Sequence, residues 1–223
     1  MDVVIFGTSR VSEVIYSYIK EDKTFNIAGF SVDREYFRDD KKFSLPVVPF
    51  DEIEKYFPPD RYKILVAIGY HQMNKIREQK CREAEAKGYE LVSYVNKNAD
   101  VASTSVIGKN CIILDNVSVE PFAQIGDNVC IYCNATVAHH SRIADNVWIT
   151  SGTVIGGNST VGKNTFLGIN STIGHNVKIG DENFIGASAV VTKNTEDKSV
   201  YINPDTPKYR LNTDQFMKLF KFY

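Results

Sequence analysis

Residues 135–161 read ATVAHHSRIADNVWITSGTVIGGNSTV. Val137, Ile143, Ile149, Ile155 and Val161 stand six apart. A helix repeats near 3.6 and a half-buried strand at two, so neither explains that spacing. The register runs on in both directions. Every sixth residue from Val101 to Val191 is Val, Ile or Leu, sixteen positions without an insertion. Gly follows the aliphatic at 108, 126, 156, 162, 168, 174, 180 and 186. A small or β-branched residue often stands two before it, as at Ser105, Ala123, Ser141 and Thr153. A hexapeptide repeat is the signature of a parallel β-helix. Three hexads make one triangular coil, the aliphatics point inward, and Gly or Asn allows the corner conformation. The 90 residues from 101 to 191 make five coils. With about 4.8 Å between stacked strands, the prism is about 24 Å long.

The first 95 residues have a different grain. Val3-Val4-Ile5-Phe6 is a short apolar run that ends at Gly7, and Val11, Val14, Ile15 and Tyr18 then recur at helical spacing. Phe25 to Val32 reads as a second strand that closes at Asp33, and Asp51 to Tyr56 as a short helix. Tyr62 to Ile68 is a buried strand ending at Gly69, His71 to Lys87 a charged helix stopped by Gly88, and Leu91 to Val95 a last strand. Strands separated by helices imply a small parallel sheet with crossover helices. The expected organisation is a Rossmann-like α/β domain over 1–96, an all-β parallel β-helix over 97–200 and a tail over 201–223, in which Asp214 to Phe222 reads as a short helix capping the last coil.

The chain has 223 residues, 43% hydrophobic, with net charge −1. It carries no basic field, which argues against nucleic acid or an anionic membrane as partner. The N-terminus lacks a positive region and its apolar run is too short for a signal peptide. No run of about 18 apolar residues could span a bilayer. Cys81, Cys111, Cys130 and Cys133 read as reduced thiols of a cytoplasmic protein, and the Cys130–Cys133 spacing has no second pair to complete a zinc site.

The hexads together with the motifs VVIFGTSRVSEV, GFSVD, VAIGYHQMNKIRE, HHSRIADNVWITSGTVIGGN and FLGINSTIG resemble the bacterial sugar-nucleotide acetyltransferases. These are left-handed β-helix enzymes, and the nearest types act on 4-amino-4,6-dideoxy sugar nucleotides or on sialic acid. The resemblance covers nearly the whole chain. It implies acetyl-CoA as cosubstrate, a nucleotide-sugar acceptor, a homotrimer with coenzyme A between prisms, and a place in the synthesis of surface glycans such as lipopolysaccharide O-antigen.

Acetyl transfer to an amine needs a polarised thioester carbonyl, a stabilised oxyanion and a base for the attacking nitrogen. Histidine suits the base role because its free pKa is near 6.5. The family's base aligns with His139. An acidic residue usually follows it there, and here His140 does, so either histidine is a candidate; both could instead be solvated residues on a solenoid face. The family's oxyanion donor, a backbone N–H, aligns with Gly157, which lies 18 residues and so one full coil from His139. Gly157 could equally be a plain corner. Trp148, one position before Ile149, points out of the prism. It would be an exposed ring, stacked on the cofactor or packed at a subunit interface. Ile169 aligns with a backbone contact to pantetheine. His175 lies 36 residues beyond His139, two coils on, and reads as a turn residue. Position 180 is Gly where a third zinc ligand would have to stand, so no metal is expected.

In the first domain, Gly7 and Ser9 of GTSR sit between strand and helix, where N–H groups suit a phosphate. A full G-x-G-x-x-G is missing, which argues against a redox dinucleotide. Asp33 and Gly69 lie at the same carboxyl edge, and the resemblance makes Gly7, Ser9, Asp33 and Gly69 the nucleotide-sugar contacts. The family often has Gly-Asn where this chain has Gly69-Tyr70. His71 and Arg77 could reach phosphates from the helix that follows. The resulting expectation is an acetyl-CoA-dependent N-acetyltransferase. Sugar or sialic acid O-acetylation is the alternative, and a non-catalytic nucleotide-binding scaffold the more distant one.

Overall fold

The computed structural model describes residues 1–219. In the first domain β1 (Asp2–Phe6), β2 (Asn26–Val32), β4 (Leu45–Pro49) and β5 (Lys63–Val66) form a parallel sheet, with β3 (Lys41–Lys42) antiparallel on β4; the order is β3-β4-β2-β1-β5. The apolar runs that read as strands are the buried ones: Val3, Val4 and Ile5 of β1 and Ile64, Leu65 and Val66 of β5 are all fully buried. α1 (Arg10–Asp22), α2 (Ile53–Tyr56) and α3 (Lys75–Ala86) complete the layers.

Two segments differ from the sequence reading. The charged helix begins at Lys75 rather than His71, because Gln72, Met73 and Asn74 adopt φ of 51°, 52° and 63°. Three consecutive left-handed residues cannot belong to a right-handed helix. The stretch Leu91 to Val95 is not a single strand. Leu91 bridges Ile64 in the first sheet, and Tyr94–Val95 then pairs with Ile112–Ile113 as the first strand of the prism.

From there the chain winds as a left-handed β-helix. Among the described residues its first face holds seven strands, from Tyr94–Val95 to Val200–Tyr201. The second holds six, Asp100–Val101 to Val190–Val191, and the third five, Val106–Ile107 to Lys178–Ile179. Strands pair in parallel with an 18-residue offset, as in Val119↔Val137 and Ile143↔Val161. The hexad aliphatics fill the interior, and Val137, Ile149, Ile155, Leu167 and Ile185 are fully buried. The corners turn on left-handed asparagines. Along one edge Asn110, Asn128 and Asn146 stack, their amides linked at 2.9 Å and 2.8 Å.

The first face is the one that the α/β domain covers. Its outward residues Tyr94, Ile112, Leu114, Cys130, Trp148 and Phe166 share one core with Val3, Ile5, Ile15, Phe30 and Leu65. Burying an aliphatic or aromatic side chain of this kind stabilises by roughly 1.5–3 kcal/mol over exposure. Arg77, fully buried, pins the junction: Nη1 donates to the Asn128 carbonyl at 2.6 Å and Nη2 to that of Asn110 at 3.0 Å. In the tail, α4 (Thr213–Met217) is closed by a capping box between Asn212 and Gln215. None of its residues is buried, so it does not cap the last coil as expected. Residues 220–222 of that expected helix lie outside the described residues.

Candidate active site

The edge between the second and third faces stacks Pro121-Phe122, His139-His140, Gly157-Asn158 and His175-Asn176, one pair per coil. The backbone locks the ladder, with Asn158 N donating to the His139 carbonyl at 2.9 Å and Asn176 N to that of Gly157 at 3.0 Å. The second residue of each pair turns the corner in the left-handed region, at φ of 57° for His140 and 59° for Asn158. His139 and His140 are exposed.

The His139 imidazole rests on Gly157. A β-carbon there would stand 2.7 Å from both Cε1 and Nε2, so only glycine lets the ring lie down. The N–H groups at this edge are treated unlike those elsewhere. At the next edge an aspartate one coil on accepts the corner N–H, as Asp127 does for Lys109 at 2.8 Å and Asp181 for Lys163 at 2.8 Å. The residue in that relation to Gly157 is His175. Among the described residues no group accepts the Gly157 N–H. The His139 N–H is taken by Glu120 Oε2 at 2.8 Å. An unused N–H beside an imidazole can hold a developing oxyanion while the imidazole takes a proton.

His140 stands where a carboxylate was expected. Its Nδ1 lies 3.2 Å from Nδ1 of His139, and the rings meet edge to face at 83°. If Nδ1 of His139 carries the proton and donates it to His140, Nε2 of His139 is left as the basic nitrogen above Gly157. The His175 ring follows, its centroid 6.3 Å from that of His139. Three histidines thus share the edge. Among the described residues, no group of three or more His, Cys, Asp or Glu is placed to hold a metal ion. Phe122 and Glu120 were not foreseen, although the 18-residue offset from His140 points to Phe122.

Trp148 is not on this edge and not exposed. It is 2% exposed on the first face, between Tyr132 and Tyr70, with the Arg77 guanidinium 5.7 Å from its ring. It does point away from the prism axis, but the α/β domain of the same chain covers it. A cofactor or a second subunit cannot stack on it there. Arg77 is likewise consumed by the junction and does not reach the crevice or solvent. Ile169 is 55% exposed but turns the edge between the first and second faces, away from His139 within the chain.

At the carboxyl edge of the first sheet, Gly7 has φ of 123°, and a β-carbon would stand 2.8 Å from the Ala67 carbonyl oxygen. Its N–H donates to Ser31 O at 2.8 Å, so Gly7 shapes the turn and does not offer that N–H to a phosphate. Ser9 is exposed at the N-cap of α1 and its hydroxyl caps no backbone N–H. The first-turn N–H groups of α1 therefore have no side-chain cap, although Ser12 of that turn is itself fully buried. Asp33 is held by Lys80 Nζ at 2.8 Å. Gly69 closes the crevice beside Tyr70, whose ring lies on Phe166 at 4.5 Å. The crevice therefore borders the first face, and the His139 edge lies opposite that face across the prism.

Residues 2–84 match the model of the PglD N-terminal domain, and residues 95–205 that of the GMPPB C-terminal domain. A search of curated proteins finds no match. Among solved structures, the acetyltransferase domain of PglB from Neisseria gonorrhoeae superposes with a TM-score of 0.81 at 22% identity, over 93% of this chain and 99% of that one. PerB from Caulobacter crescentus, solved with CoA and GDP-perosamine, superposes with a TM-score of 0.81 at 23% identity, over 90% of this chain and 93% of that one. These likenesses establish the two-domain fold.

Proposed function

We propose that this chain, which joins the PglD N-terminal domain to the β-helix of the sugar-nucleotide acetyltransferases, moves the acetyl group of acetyl-CoA onto the amine of a nucleotide-linked amino sugar. The observation that carries the reading is the His139 imidazole lying on Gly157 beside an unused N–H. The neutral amine attacks the thioester carbonyl and a C–N bond forms. The Gly157 N–H holds the oxyanion, and Nε2 of His139 takes the proton from nitrogen. Collapse breaks the C–S bond, and the same proton passes to the leaving sulfur, giving amide and free thiol. His140 orients the base through Nδ1.

The acceptor's nucleotide belongs in the crevice of Ser9, Asp33 and Gly69, with Gly7 shaping its turn. That crevice and the His139 edge flank opposite sides of one prism. A second copy of the chain must therefore complete each site, which supports a homotrimer in which the Ile169 edge of one prism faces the His139 edge of the next, with the thioester between them. Among the described residues no helix is long and apolar enough to cross a membrane. The setting proposed is the cytoplasm, where acetyl-CoA and sugar nucleotides meet ahead of surface-glycan assembly, O-antigen included.

The test is to supply acetyl-CoA with UDP-, dTDP- and GDP-linked amino sugars and weigh the product. A gain of one acetyl group that survives mild base is an amide and bears the reading out. A base-labile gain is an ester and would move the assignment to O-acetylation. No gain with any acceptor, amine or hydroxyl, would leave the scaffold reading.

A further inference from the structure

The corner beside the base is built from residues the rest of the prism avoids. Left-handed corner positions elsewhere hold Asn at 110, 116, 128, 134, 146, 158, 164, 170 and 176, or the small or flexible Gly152, Ser188 and Glu182, and no other aromatic. Phe122 occupies one at φ of 65°, and His140 the next coil's at 57°. A bulky aromatic at positive φ is a backbone outlier, which persists where the surroundings impose it and clusters at functional sites. Burial does not explain it, because Phe122 is 53% exposed. Its ring instead lies against His140, centroids 4.8 Å apart.

The two rings form one wall of a cleft of about 440 Å³ that is also lined by Gln124, Arg142, Asn158 and Asn176. Arg142 is exposed, and among the described residues it makes no ion pair. Asn158 donates to Asn176 at 3.0 Å, which fixes both amides and leaves donors and acceptors facing out. An apolar ring face beside fixed amides and one guanidinium suits a pyranose, whose C–H face stacks while its hydroxyls bond. The guanidinium suits a sugar-linked phosphate.

We infer that this cleft is the subsite for the acceptor's sugar, with Phe122 as the stacking platform that sets specificity. The inference rests on the acetyltransferase reading and names the side of the His139 edge from which the amine arrives. His140 then has two faces in use, one toward His139 and one against Phe122.

The test is Phe122→Asn, which installs the ordinary corner residue. Its Tm should equal or exceed that of wild type, because strain is removed and little burial is lost. Kd is measured for each nucleotide-linked amino sugar of the panel and for the matching free nucleoside diphosphate. The sugar nucleotide should weaken about tenfold, as expected for losing one aromatic contact, while the free diphosphate is unchanged. If Phe122→Asn melts lower, Phe122→Leu keeps the apolar bulk without the ring and gives the same comparison. An unchanged ratio overturns the inference. So does a loss confined to acetyl-CoA, which gives the cleft to the thioester, or a change of oligomeric state, which gives it to a second copy. Thiol release by the wild type separately tests the acetyltransferase reading, so the two can fail independently.

Discussion

The imidazole of His139 lies directly over Gly157, so close that a single added methyl group would meet Cε1 and Nε2 at 2.7 Å. Gly157→Ala must therefore displace the ring while leaving the backbone N–H in place. Misplacing a catalytic group by about 1 Å can cost roughly 10²-fold in rate. A fall of about that size in kcat is expected, with Tm little changed because the ring is exposed. Steady-state kinetics and a melt on the same preparation check both.

His140 holds its partner through a 3.2 Å Nδ1 contact. His140→Ala should lower kcat about tenfold and leave KM for acetyl-CoA near its wild-type value. His140→Glu restores an acceptor and should recover most of the rate. If both variants behave alike, His140 has no positioning role.

Arg77 is the pin of the domain junction. It donates to the carbonyls of Asn110 and Asn128, and its removal orphans these two buried acceptors, while the Val66 carbonyl keeps the Asn110 amide at 3.2 Å. Each such loss costs about 1–3 kcal/mol. Arg77→Met should therefore lower the unfolding free energy by about 2 kcal/mol or more in a urea titration. Arg82→Met removes a guanidinium 75% exposed and should do far less.

Asp22, 3% exposed, carries the pH dependence at the start of the prism. Burial penalises its charge, yet the Tyr94 hydroxyl at 2.6 Å and the Lys97 N–H at 3.2 Å hold its carboxyl below the usual range. The folded pKa is depressed, so its stabilisation is present above pH about 4 and is lost as pH falls through the folded value. Urea midpoints measured from pH 6 down to pH 3 should fall for wild type. The slope should be shallower for Asp22→Asn.

The hexad register was legible because interior positions of a β-helix tolerate only aliphatics, and sixteen in phase admit no other fold. The stacking of His139 on Gly157 was legible for the same reason, since 18 residues make one coil. Trp148 shows where such reading stops. Periodicity tells inside from outside of the prism, but not which outer face another domain covers; here the apolar run Ile112, Cys130, Trp148 and Phe166 on one face was the unread signal. The three left-handed residues before α3 had no glycine to announce them. Phe122 hid because a corner aromatic resembles a surface aromatic until the stacked histidine is seen.

The central claim is that His139 is the base of an acetyl transfer. The most direct test follows thiol release from acetyl-CoA with the nucleotide-amino-sugar panel, for wild type and His139→Ala. Release with an acceptor, reduced about 10²–10⁴-fold in the variant, is the result expected. Release that His139→Ala leaves intact would contradict the assignment of the base, and no release from wild type with any acceptor would contradict the reaction itself.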